Sequence, residues 1–86
     1  MGRPYKSGKA SKYEPIEYRA WFLRLMYNLR DCRLEQDIPA REIRAMGGPN
    51  AAAVAKLENG YERDMKVSTL FRWCRVMGVS VHEMIP

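Results

Sequence analysis

The sequence predicts an all-α fold: a compact domain of five helices with an extended first helix, preceded by a flexible basic arm. Two observations predict it. Apolar residues recur at alternating spacings of three and four, the period of one helix face, and no segment alternates as a strand would. Between these segments stand Gly, Pro and Asn at positions that start or stop helices. At 86 residues, 47% hydrophobic and 29% charged, the chain has the composition of a globular domain, though one with a small core.

Residues 1–15, MGRPYKSGKASKYEP, hold two prolines, two glycines, two serines and scattered lysines with no apolar period. They read as a flexible basic arm, and residues 16–86 as the domain. From Ile16 to about Glu35 a long helix is marked by Tyr18, Phe22, Leu25, Leu29 and Cys32, with Pro15 suited to its first turn. Asp37-Ile38-Pro39 breaks it. A second helix is expected over Ala40 to Met46, and Gly47-Gly48-Pro49 then forces a tight turn. The third helix, Ala51 to Glu58, has Asn50 as its N-cap and Asn59-Gly60 as its stop. Residues 61–66 form a charged loop. Val67, Leu70, Phe71, Cys74 and Met77 mark a fourth helix ended by Gly78, and Ser80-Val81-His82-Glu83 matches a capping box that opens a last turn with Met84 and Ile85.

The formal charge is +5, and residues 1–23 carry five Lys and Arg against two Glu. Such an excess in a small domain points to a polyanion, nucleic acid before membrane. No apolar run reaches the ~18 residues of a membrane span, and the basic start lacks the apolar core of a signal peptide, so a cytoplasmic location is expected. Cys32 and Cys74 are too few for a disulfide framework or a zinc site and read as reduced core thiols. Met26, Met46, Met77 and Met84 read as core filler, and His82 as a surface residue. There is no nucleophile–base set, phosphate loop or metal-ligand spacing. The expectation is a binding protein, not an enzyme, with no cofactor, metal or small-molecule ligand.

Two short helices joined by a glycine turn in a basic all-helical chain read as a helix-turn-helix. From about Leu25 to Ile85 the residues resemble the lambda-repressor-like, Cro-type (XRE-like) DNA-binding family. The likeness is carried by Leu29 and Arg33, Ile38, Ile43 and Gly48, then Val54, Leu57 and Glu58-Asn59-Gly60, and finally Thr69-Leu70, Cys74, Met77 and Gly78-Val79-Ser80. Pro39 stands where the family caps its second helix with Ser or Thr, and Arg44 where an alanine usually packs.

The resemblance implies that the third helix enters the major groove, with Ala51, Ala52, Ala55 and Lys56 facing the bases. Of these only Lys56 can hydrogen-bond a base edge. The alanines offer methyl contacts and let the backbone lie deep. Asn50 at the helix start, Ala40 and Arg41 on the second helix, and Asn59, Tyr61, Arg63 and Lys66 after the third fall at positions that meet the phosphate backbone. In the arm, Gly2-Arg3-Pro4 resembles the core of an AT-hook, which would place Arg3 in a minor groove, with Lys6, Lys9 and Lys12 on phosphates. The resemblance also implies a structural pair between Arg33 and Glu58. A second apolar stripe, Ile16, Ala20, Leu23 and Tyr27, with Trp21 beside it, is expected to hold a homodimer on a double-stranded DNA operator.

The expected function is a sequence-specific transcriptional regulator of bacterial or phage type, nucleoid-associated, acting as a repressor that excludes polymerase from its operator. Three alternatives stay open: the DNA-binding antitoxin of a toxin–antitoxin pair, an architectural or excisionase-like DNA-bending protein, and a protein-binding adaptor.

Overall fold

The computed structural model describes residues 15–86. Arg3, Lys6, Lys9 and Lys12 lie outside the described residues. The described chain folds into α1 (Ile16–Glu35), α2 (Ala40–Ile43), α3 (Ala51–Glu58), α4 (Val67–Met77) and α5 (Val81–Met84), with no strand among the described residues.

α1 begins at Pro15, an N-cap whose ψ of 138° is extended, and Arg19 N–H donates to the Pro15 carbonyl at 3.1 Å. Its inner face buries Phe22, Leu25, Met26 and Leu29. The helix stops where Asp37 takes φ +55°, a left-handed value that Asp tolerates better than most residues. Two side chains, one on α1 and one at its C-cap, fasten it to the last two helices. Asn28 Nδ2 donates to the Met84 carbonyl at 2.7 Å, and Gln36 Nε2 donates to the Met77 carbonyl at 2.8 Å.

The second helix is shorter than the sequence suggests. It ends at Ile43, not Met46: Arg44 keeps helical angles, but the bonds that follow tighten to a three-residue span, Met46 N–H donating to Ile43 at 3.1 Å and Gly47 N–H to Arg44 at 3.0 Å, before Gly48 N–H closes the turn on the Ile43 carbonyl at 2.9 Å. Met46 is turned out of the core to solvent by this turn. The two glycines serve different ends. Gly47 sits at φ +104°, while a Cβ on Gly48 would come within 2.5 Å of Ile43 Cγ2 and 3.2 Å of Val76 Cγ2. Gly48 thus lets the turn press against α2 and α4.

α4 also differs. Val67 and Phe71 are exposed, and the buried arc is Leu70, Trp73, Cys74 and Met77. Trp73 is completely buried (0% exposed) and its indole N–H has no partner. An unpaired buried donor costs about 1–3 kcal/mol, here offset by the burial of the largest apolar side chain available. Gly78 at φ +70° closes α4, with Val79 N–H donating to the Cys74 carbonyl. In the capping box of α5, Ser80 N–H donates to Glu83 Oε1 at 2.7 Å and Glu83 N–H donates to Ser80 Oγ at 3.2 Å.

Ile43 of α2 and Val54 and Leu57 of α3 complete one core with the inner faces of α1 and α4. Cys74 lies inside it, and burial pushes its thiol pKa up, so it stays protonated. Cys32 is half-buried and also free.

Candidate nucleic-acid interface

α3 is placed by its ends. Asn50 Oδ1 accepts from Ala53 N–H at 2.8 Å, a side-chain N-cap. At the other end Gly60 takes φ +82°, and the N–H groups of Tyr61 and Glu62 both return to the Lys56 carbonyl at 2.8 and 3.0 Å. Val54 and Leu57 anchor the helix in the core, so Ala52, Ala55, Lys56 and Asn59 are exposed, with Ala51 half-buried at the edge. The exposed surface of this helix is therefore mostly methyl groups and one ammonium.

A forked ion pair fixes the far end. Arg33 Nε donates to Glu58 Oε2 at 2.8 Å, Arg33 Nη2 to Oε1 at 2.7 Å, and Arg33 Nη1 to the Ile38 carbonyl at 2.8 Å. Both side chains are nearly buried, at 11% and 6% exposed. The bond to Glu58 raises the pKa of Arg33 and outweighs the burial that disfavours its charge. One guanidinium thus ties α1, the turn before α2 and the end of α3 together.

Beside the start of α3 lies an open cleft of about 510 Å³ lined by Arg44, Gly47, Gly48, Pro49, Asn50, Ala53, Thr69 and Arg72. A second depression of about 490 Å³ continues from it past Ala52 and Lys56 to Lys66. Arg44, Lys56, Lys66 and Arg72 border this surface with Asn50 at its centre, against two acids, Glu62 and Asp64. Asp64 is engaged elsewhere, its Oδ1 accepting from the Tyr18 hydroxyl at 2.7 Å and from Met65 N–H at 2.9 Å.

Arg44, Thr69 and Arg72 were not legible as site residues. Arg44 stood out in the sequence only as a misfit for packing, yet its side chain faces solvent beside the cap of α3. Arg72 leans on Thr69, Nη2 to Oγ1 at 3.5 Å, and only the fold brings that pair to α3. Of the remaining phosphate candidates, Arg41, Tyr61, Arg63 and Lys66 are exposed. Ala40 is half-buried with its side chain packed against the core.

On α1, Ile16, Ala20, Leu23 and Tyr27 are all exposed. Trp21 does not join that stripe. It stacks on Tyr18, ring centroids 6.3 Å apart, beside a groove lined by Asp64, Met65 and Val67. The reason is rotation: five residues on from Ile16 is about 140° round the helix. Among the described residues no group of three His, Cys, Asp or Glu side chains converges as a metal site would, and no helix is long and apolar enough to cross a membrane. Comparison with protein-family models, curated proteins and solved structures gives no match.

Proposed function

We propose that this chain is a sequence-specific DNA-binding regulator of lambda-repressor-like type, with α3 entering the major groove and the surrounding cations on phosphates. The observation that carries the reading is the surface of α3. An eight-residue helix capped at both ends turns alanines and Lys56 outward, between Arg44 and Arg72 at its start and Lys66 along its side. A smooth helix face lets the backbone approach bases closely, and flanking guanidinium and ammonium groups suit phosphate on either side. With so few polar side chains on α3, discrimination rests on Lys56, on thymine methyls against the alanines and on DNA shape. Occupying a promoter site in this way would repress by excluding polymerase.

The test is selection of bound sequences from a random DNA pool, followed by Ala52→Glu. Ala52 is exposed one turn before Lys56, so glutamate there keeps the fold, being nearly as good a helix former as alanine. Facing phosphates it should abolish binding to the selected sequence. Lys56→Ala should be milder, losing about 1–3 kcal/mol and relaxing preference at one base position. An Ala52→Glu protein that melts normally and still binds would remove α3 as the reader. A pool that yields no enriched sequence would favour an architectural or protein-binding role.

A further inference from the structure

We propose that the outward face of α1 is a homodimer seam on which a second copy of the chain lies antiparallel, centred on residue 25. Ile16, Ala20, Leu23, Tyr27, Arg30 and Leu34 follow one another at steps of four, three, four, three and four along the whole of α1. That is the 3.5-residue period of a seam between two nearly aligned helices. Each is exposed, the large ones strongly so: Ile16 84%, Leu23 43%, Tyr27 61% and Leu34 49%. Core-facing Tyr18 stands two positions on from Ile16, about 200° round the helix, so the stripe points away from the domain's own core.

The stripe is self-complementary when reversed. About residue 25, Ile16 meets Leu34 of the second copy, Leu23 meets Tyr27, and Ala20 meets Arg30. The only charged member therefore falls opposite the smallest. Arg30 already leans aside, its Nε 3.9 Å from Glu58 Oε1, so its aliphatic stem can cover Ala20 of the other copy while the charge stays at the rim. A parallel pair would instead set Arg30 against Arg30 and leave a gap between two alanines. A two-fold axis that makes one patch fit itself is the commonest route to a dimer.

The seam is narrow. Six side chains a copy fall well short of the ~20–30 residues a side of a standard interface. On its flank, Glu17, Arg24 and Asp31 meet like charges across the pair. Association of free protein is therefore weak, roughly in the tens of micromolar.

The seam is independent of the DNA reading, and its test uses protein alone. Sedimentation should show a dimer at roughly tens of micromolar, and Leu23→Glu with Tyr27→Glu should leave only monomer with unchanged helical content. To fix the direction, Ile16→Cys with Leu34→Cys is oxidised and its tryptic peptides are identified by mass. Trypsin cuts after Arg33, which separates position 34 from Cys32. Positions 16 and 34 lie about 27 Å apart on one helix, so a 16–34 disulfide must join two copies. That linkage is the expected result. A wild-type monomer, a dimer that survives the double glutamate variant, or 16–16 and 34–34 linkages would each overturn the proposal.

Discussion

α1 and α3 each present a face to solvent, and they do so in opposite ways. The outward face of α1 carries isoleucine, leucine and tyrosine, whereas that of α3 carries alanine and one lysine. A large exposed side chain leaves apolar area in water at roughly 25 cal/mol per Å², so the α1 face gains whenever something covers it. An exposed alanine leaves little. What the α3 face offers is clearance, a helix backbone that can come close to another surface without side chains in the way. The first face leaves apolar area in water and the second leaves room for close approach.

Arg33 joins the two helices, so its loss should have the largest effect. Arg33→Ala leaves the nearly buried Glu58 without its fork and the Ile38 carbonyl without its donor, and should cost about 3–5 kcal/mol in chemical denaturation. Lysine should rescue only part of it, since a point charge cannot reproduce two parallel bonds and a third to the turn. If instead Arg33→Ala lost DNA binding at full stability, the fork would serve the site and not the fold.

Gly48→Ala should come next, at about 1–3 kcal/mol, because the new Cβ has only Ile43 and Val76 to displace and Ile43 is fully buried. Its effect falls on the turn that sets the start of α3, so the melting temperature should drop, and with it the DNA affinity that the proposed function requires, while the α1 face is unchanged. A variant as stable as wild type would show that α2 can give way.

The smallest effect is chemical. In native protein, iodoacetamide should alkylate half-buried Cys32 well before Cys74. Because burial raises the Cys74 pKa, the stability this contributes is whole below the ordinary thiol value of about 8.5 and is lost as pH rises past it. Equal labelling rates would mean that α4 opens readily from the core.

Much of this was written locally in the chain. The bounds of α1, α3 and α5 follow from Pro15, from the Asn50 cap with Gly60, and from the Ser80–Glu83 box, since caps act over three or four residues. The arc that α4 buries was not. Its apolar residues run from Val76 through Trp73 round to Phe71, about 220° of the helix, and only the partners decide which edge faces inward. Packing chose the Trp73 edge and left Val67 and Phe71 outside. The end of α2 was illegible for a similar reason, because the close approach of Gly48 to Ile43 and Val76 depends on a helix almost thirty residues away. In the site, α3 itself could be read, but Arg44 and Arg72 gain meaning only from being brought to its cap.

The two tryptophans make the protein its own optical instrument. Trp73, sealed in the core with its N–H unpaired, should emit at the short-wavelength end of the indole range and be untouched by iodide. Trp21, partly in water and stacked on Tyr18, should emit further to the red and be quenched by the same ion. A single fluorescence titration with denaturant and quencher can then follow the heart of the domain and the edge of its longest helix at once, without any label.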